Sequence, residues 1–210
     1  MDEYLKIQTV FKRDPETNHK TLLLGQYSLP EFEYLADNDW VFTEKVDGTN
    51  VRVMFDGKNI TFGGKTDNAQ LPAPLLNRLK DRFGVAALMA VFPDGGCLYG
   101  EGYGAKIQKG GGNYRQDQDF VLFDVRVGAW WLQRADVKDV AEKLNLEIVP
   151  IVGQGTLREM VEATMIGFNS RWGDFIAEGI VARPATELCT RGGERIITKI
   201  KHKDFASTVQ

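Results

Sequence analysis

The run Lys45-Val46-Asp47-Gly48-Thr49-Asn50 follows the apolar stretch Trp40-Val41-Phe42 and joins three residue types able to do chemistry. A lysine attacks phosphorus or carbonyl carbon only as the neutral amine, so its pKa must be lowered by desolvation or by nearby positive charge. Burial at the end of the apolar stretch would supply the first; a bound metal ion or further lysines would supply the second. The carboxylate of Asp47 is close enough in sequence to position the amine or a metal-bound water. The plain alternative is a solvated strand-edge lysine ahead of an Asp-Gly hairpin turn, a pair that accepts positive φ angles. Two other motifs fail on context. Gly100-Glu101-Gly102-Tyr103-Gly104-Ala105 fits a dinucleotide fingerprint, but Lys-Ile-Gln-Lys-Gly-Gly-Gly follows where a helix should start. Gly64-Lys65-Thr66 resembles the end of a P-loop, yet Asn59 stands where its first glycine belongs.

The elements that must position these residues read as short strands bounded by Gly, Asn or Asp, over residues 5–11, 40–46, 49–55, 60–63, 97–102, 120–127, 146–151, 175–183 and 196–201. Helices fit between them at 74–83, 85–92 and 135–144, and another begins at Thr156, whose spacing to Glu159 makes a capping box. The short gaps imply antiparallel pairing, so the expected class is α+β: antiparallel β-sheets flanked by helices. Residues 1–210 read as one domain, with no internal repeat or linker.

With 43% hydrophobic and 26% charged residues, the chain can bury a real core, which excludes default disorder. A formal charge of -3 excludes a generally basic surface, so a nucleic-acid partner must meet a local cluster of Lys and Arg. Two cysteines and two histidines are too scattered for a zinc site or a disulfide framework. No apolar run is long enough to cross a bilayer, and the first ten residues lack a signal-peptide pattern. The expected setting is a reducing, cytosolic one, with no membrane and no protein partner in view.

The Lys45–Asn50 run resembles the K-x-D-G-x-N signature of the covalent nucleotidyltransferases, the superfamily of polynucleotide ligases and RNA-capping enzymes. Further elements follow in order: Leu98-Tyr99-Gly100-Glu101-Gly102, Val121-Leu122-Phe123-Asp124-Val125, Glu178-Gly179-Ile180-Val181, and Ile197-Thr198-Lys199-Ile200-Lys201. Asn50, the Gly63-Gly64-Lys65-Thr66 element and the ending Lys-Ile-Lys-His-Lys-Asp-Phe make the chain most similar to phage and bacterial RNA ligases of the nick-sealing type. The resemblance implies a nucleotidyltransferase (adenylation) domain and three steps. Lys45 takes AMP from ATP and expels pyrophosphate, AMP passes to a 5′-phosphate end, and a 3′-hydroxyl displaces it. The implied cofactors are ATP and Mg²⁺ or Mn²⁺; the implied partners are RNA ends, in nicked duplex RNA or an RNA–DNA hybrid.

Under that resemblance Lys199 and Lys201, two apart on a strand, share a face and would clamp the α-phosphate; an edge strand guarded by lysines is the alternative. Glu178 opens the apolar run EGIVARP, where a carboxylate is costly to bury unless it meets a cation, and is assigned a divalent ion through water. Glu101, between glycines that would let a ligand near the backbone, suits ribose hydroxyls, with a structural salt bridge as the rival. Phe123 would stack on adenine and Phe120 enter the core, although the reverse assignment stays open. Lys65 and Arg52 are candidates for the phosphates or the 5′-phosphate end, Arg52 and Asn50 sharing a face that could equally be solvent. Glu44 is a candidate for base recognition or a plain strand-edge carboxylate. Lys106, Lys109 and Arg115 would grip nucleic-acid backbone or belong to a solvated loop.

Relatives usually follow the last lysine motif with an oligonucleotide-binding-fold or helical domain, whereas nine residues follow Lys201 here. The expectation is a domain without such an appendage. DNA ligase and RNA guanylyltransferase are the enzyme alternatives, and a nucleotide- or RNA-binding module without turnover is the non-enzyme one.

Overall fold

The computed structural model describes residues 3–205. In chain order its elements are β1 (Gln8–Thr9), β2 (Phe11–Arg13), β3 (Leu22–Tyr27), α1 (Pro30–Tyr34), β4 (Trp40–Glu44), β5 (Thr49–Phe55), β6 (Ile60–Gly63), α2 (Ala73–Arg82), α3 (Val85–Val91), β7 (Gly96–Gly104), β8 (Gln118–Val127), β9 (Trp130–Trp131), α4 (Arg134–Lys143), β10 (Ile151–Gly155), α5 (Leu157–Ile166), β11 (Gly179–Pro184) and β12 (Thr198–Lys201). The class is α+β, as the pattern of strands and helices predicts. The chain divides into two compact units, one made of residues 3–5 and 47–149, the other of residues 6–46 and 150 onward.

The first unit is built on a sheet of order β6-β5-β7-β8-β9, antiparallel throughout. Alternation along β5 sends Val51, Val53 and Phe55 to one face, where they join Leu75 and Leu79 of α2, Leu88 of α3, and Val137 and Val140 of α4. Burying each leucine is worth about 1.5–3 kcal/mol, so helix packing rather than helix propensity holds this layer. Gly100 lies on the same face: a Cβ there would stand 2.2 Å from the Phe120 ring. This glycine therefore admits a core side chain, not a ligand, which corrects the expectation drawn from the sequence. Phe120 itself is buried in that core.

The second unit carries a sheet of order β1-β12-β11-β4-β10, with only β1 and β12 parallel, beside a β2–β3 hairpin. Trp40, Phe42, Ile180, Ala182 and Ile200 pack on Phe32 of α1 and on Leu157 and Met160 of α5. The buried Trp40 indole donates to the Leu35 carbonyl at 2.8 Å, which removes the penalty of an unpaired N–H. Thr156 and Glu159 form the expected capping box at the start of α5, worth about 1 kcal/mol. Among the described residues no helix is long and apolar enough to cross a membrane.

Three expectations are corrected. Asp47-Gly48 is not a hairpin turn, because β4 and β5 lie in different sheets and Gly48 is not among the positive-φ glycines. The strand expected at 146–151 starts only at Ile151, Ile148 making an isolated bridge to Leu122. The strand expected from Phe175 starts at Gly179. Strands β3 and β9 and helix α1 were not anticipated; the first contains Gly25 at φ +80°, the second spans two residues and the helix five.

Candidate active site

In the second unit, the ends of β4, β11 and β12 bring three charged side chains together. The Lys45 N–H donates to the Gly179 carbonyl at 2.9 Å, continuing the β4–β11 ladder by one residue. Gly179 stands opposite Lys201 in the β11–β12 register. The Glu178 carboxylate bridges the two lysines: Oε2 lies 2.6 Å from Lys45 Nζ, and Oε1 lies 2.6 Å from Lys201 Nζ. These are short, charge-assisted contacts. The side chains of Lys45, Glu178 and Lys201 are 19%, 10% and 23% exposed, so water and a ligand can still compete for them. Two ammonium groups within reach of one another suit this spot to phosphate oxygens.

Lys199 shares the Lys201 face by strand alternation and stands opposite Val181 and Thr9 in the sheet. It lines a concavity together with Lys6 and Lys12.

In the first unit, the sheet face opposite the helices carries the polar residues. Asn50 and Glu101 are register partners, and Asn50 Nδ2 donates to Glu101 Oε2 at 2.9 Å. A register shift between Tyr99 and Gly100 pairs those residues with Asp124 and Leu122, leaving Phe123 as the extra residue of a bulge. Bulges re-aim side chains, and Phe123 is half-buried here instead of joining the core. Its ring meets the Tyr4 ring edge-on, with centroids 5.0 Å apart, and the Tyr4 hydroxyl donates to Asp124 at 2.6 Å.

The Asp47-Gly48 segment is braced from the glycine-rich loop. The Asp47 N–H donates to the Tyr114 hydroxyl at 3.1 Å, and Gln108 Nε2 donates to the Gly48 carbonyl at 2.9 Å. A Cβ on Gly48 would stand 2.2 Å from the Gly102 carbonyl oxygen, so the glycine is required for close approach of two backbones. Tyr114, Gln108 and Tyr4 carry no motif, and only their place in the fold reveals them.

The sequence model of the RNA ligase family matches residues 38–201, a span that contains Lys45, Glu178 and Lys201. The chain belongs to the RNA ligase family. No curated protein sequence matches it. Among solved structures, a mutant Naegleria gruberi RNA ligase with ATP and Mn superposes with a TM-score of 0.72 at 17% identity, covering 100% of this chain and 58% of that one. Another mutant of that ligase with ATP and Mn gives 0.70 at 18% identity, covering 98% and 59%. The same enzyme with pyrophosphate gives 0.68 at 18% identity, covering 100% and 60%. The fold is thus that of an RNA ligase, and the chain spans about three fifths of the length of these structures.

Three residues of this family member stand differently from expectation. Glu44 has the parity of Trp40 and Phe42 and is buried on the core face, where it accepts from the Ser170 hydroxyl at 2.6 Å and the Arg171 N–H at 2.8 Å. Burial pushes its carboxyl above the usual value, against the lowering by those two bonds. It anchors the loop before β11. Arg52 is 1% exposed rather than open to phosphate. Its guanidinium donates to the Gly64 carbonyl and to Asp67, both at 2.8 Å, and so shapes the loop that carries the exposed Lys65. Arg115 is likewise engaged, by Asp117 and Asp119, whereas Lys106 and Lys109 are exposed.

Proposed function

We propose that this chain is an ATP-dependent RNA ligase domain that joins a 3′-hydroxyl to a 5′-phosphate through a covalent lysyl-AMP, with Lys45 as the nucleophile. The observation that carries the reading is the Glu178 carboxylate held between Lys45 and Lys201 within the matched family span. ATP, Mn and pyrophosphate in the Naegleria structures support ATP as the nucleotide donor and a divalent cation as its companion.

A divalent ion fits Glu178 in a limited way. Among the described residues no group of three His, Cys, Asp or Glu side chains could hold a metal, so a protein cage is absent there. One carboxylate suits Mg²⁺, which keeps its waters and takes its other ligands from substrate phosphates. Glu178 would hold such an ion, which would supply neutralisation of phosphate charge. Lys45 gives up one proton to solvent before it attacks. Its Nζ then forms the P–N bond to the α-phosphorus while the bond to the bridging oxygen breaks and pyrophosphate departs with the electron pair. Lys201, with Lys199 on the same face, stabilises charge on the phosphate oxygens as they pass through the transition state. Asn50, Glu101 and Phe123 are assigned to the nucleoside and phosphate of ATP, Lys65 to a phosphate, and Asp47 to orienting the reacting groups.

Incubation with α-labelled ATP and Mg²⁺ should label the protein, and nicked duplex RNA should then be sealed. Lys45→Ala should do neither. An unlabelled wild type, or a label that persists in Lys45→Ala, overturns the reading. Labelling by GTP in place of ATP would make the chain a guanylyltransferase, and sealing of nicked DNA alone would make it a DNA ligase.

A further inference from the structure

The second unit contains a concavity of about 570 Å³ beside the edge strand β1 and the β2–β3 hairpin. Lys6, Lys12, Arg13, His19 and Lys199 line it, and no carboxylate does. That is a local reversal of sign on a chain whose formal charge is -3. Arg13 shapes the wall: it pairs with the buried Asp204 at 2.9 Å and donates to the His19 and Lys20 carbonyls at 3.3 and 3.4 Å, which pins the hairpin loop. Asp204 thereby balances Arg13. Lys6 and Lys12 are exposed, and neither has a carboxylate partner among the described residues.

We infer that this concavity docks the phosphodiester backbone of the RNA strand to be joined. The inference rests on the ligase reading and adds a place for the polymer. Flexible lysines facing open water suit a backbone, whose phosphates position a strand without reporting its sequence. A free nucleotide would also ask for a surface to hold its base, and the phenyl ring here, Phe11, is 7% exposed and packs on Tyr27. The volume exceeds that of a single phosphate, as a strand requires.

The test compares wild type with the double substitution Lys6→Gln/Lys12→Gln and its charge-retaining counterpart Lys6→Arg/Lys12→Arg. Affinity for nicked duplex RNA is measured by fluorescence anisotropy over a series of KCl concentrations, and covalent labelling is measured over a series of ATP concentrations. Removal of two phosphate contacts should lower the slope of log K against log salt by about 1.4 to 1.8. The arginine variant should keep the wild-type slope, and all three proteins should share one ATP dependence of labelling. An unchanged slope in the glutamine variant overturns the inference, as does a rise in the ATP needed for labelling without a change in slope, which would assign the concavity to the triphosphate tail. A wild type that is never labelled, beside the predicted fall in slope in the glutamine variant, overturns the ligase reading and leaves the docking surface standing.

Discussion

Two carboxylates, one in each unit, are surrounded by cations and differ in what the cations are. Glu178 is held by two lysines, each at 2.6 Å. Asp119 is held by three arginines, Arg78 and Arg82 at 3.0 Å and Arg115 at 2.6 Å. A guanidinium is a planar fork that stays charged and gives several bonds from one geometry; an ammonium is a mobile point charge able to lose its proton. The arginine node ties α2 to the start of β8 permanently. The lysine node keeps its three side chains 10–23% exposed, within reach of a competing cation or phosphate. Charge density alone therefore does not separate chemistry from architecture, whereas the exchangeability of the donors does.

Breaking the lysine node should have the largest effect on activity. Glu178→Ala or Lys201→Ala is expected to slow lysyl-AMP formation by on the order of a hundredfold or more, measured in single-turnover labelling, with thermal unfolding nearly unchanged. Breaking the arginine node should do the reverse. Asp119→Ala strands three arginines and should cost about 2–3 kcal/mol in urea unfolding, below the range for fully buried pairs because Arg78, Arg82 and Arg115 keep access to water.

The same node carries a pH signature. Burial pushes the Asp119 carboxyl up, but the bonds from Arg78 and the Phe120 N–H, with the charges of Arg82 and Arg115, hold it below the ordinary aspartate value. A depressed folded-state pKa gives stability that is complete above the unfolded value near 3.8 and is lost as pH falls through the folded value. Urea unfolding across that acid window should show a steeper loss in wild type than in Asp119→Asn.

Smaller effects sharpen the contrast. Tyr114→Phe removes the acceptor of the Asp47 N–H and should cost about 1 kcal/mol, with labelling slowed severalfold and Tyr114→His restoring part of the rate. Asp37→Asn breaks an ion pair with Arg158 whose side chains are both 74% exposed; stability should move by less than about 0.5 kcal/mol.

The sequence carries the strands that alternate cleanly. β5 and β6 run over the residues that the pattern of apolar positions marks, and the shared face of Lys199 and Lys201 follows from parity. Parity also held the answer for Glu44, which alternates with Trp40 and Phe42 and must face the core with them. The Asp-Gly pair misled because the local chemistry of a tight turn and of a close backbone approach both select glycine; only the position of the Gly102 carbonyl distinguishes them. The partners of Arg52 and of Asp47 come from residues 12 to 67 positions away, and no local pattern encodes which carbonyl or hydroxyl a fold will bring to them.

The central claim is that the amine of Lys45, freed from Glu178, becomes covalently bound to AMP. Peptide mapping by mass spectrometry after a brief pulse with ATP and Mg²⁺ tests it most directly. The account predicts the mass of one AMP on the peptide containing Lys45 and on no other; AMP on Lys199 or Lys201, or on no lysine at all, would contradict it.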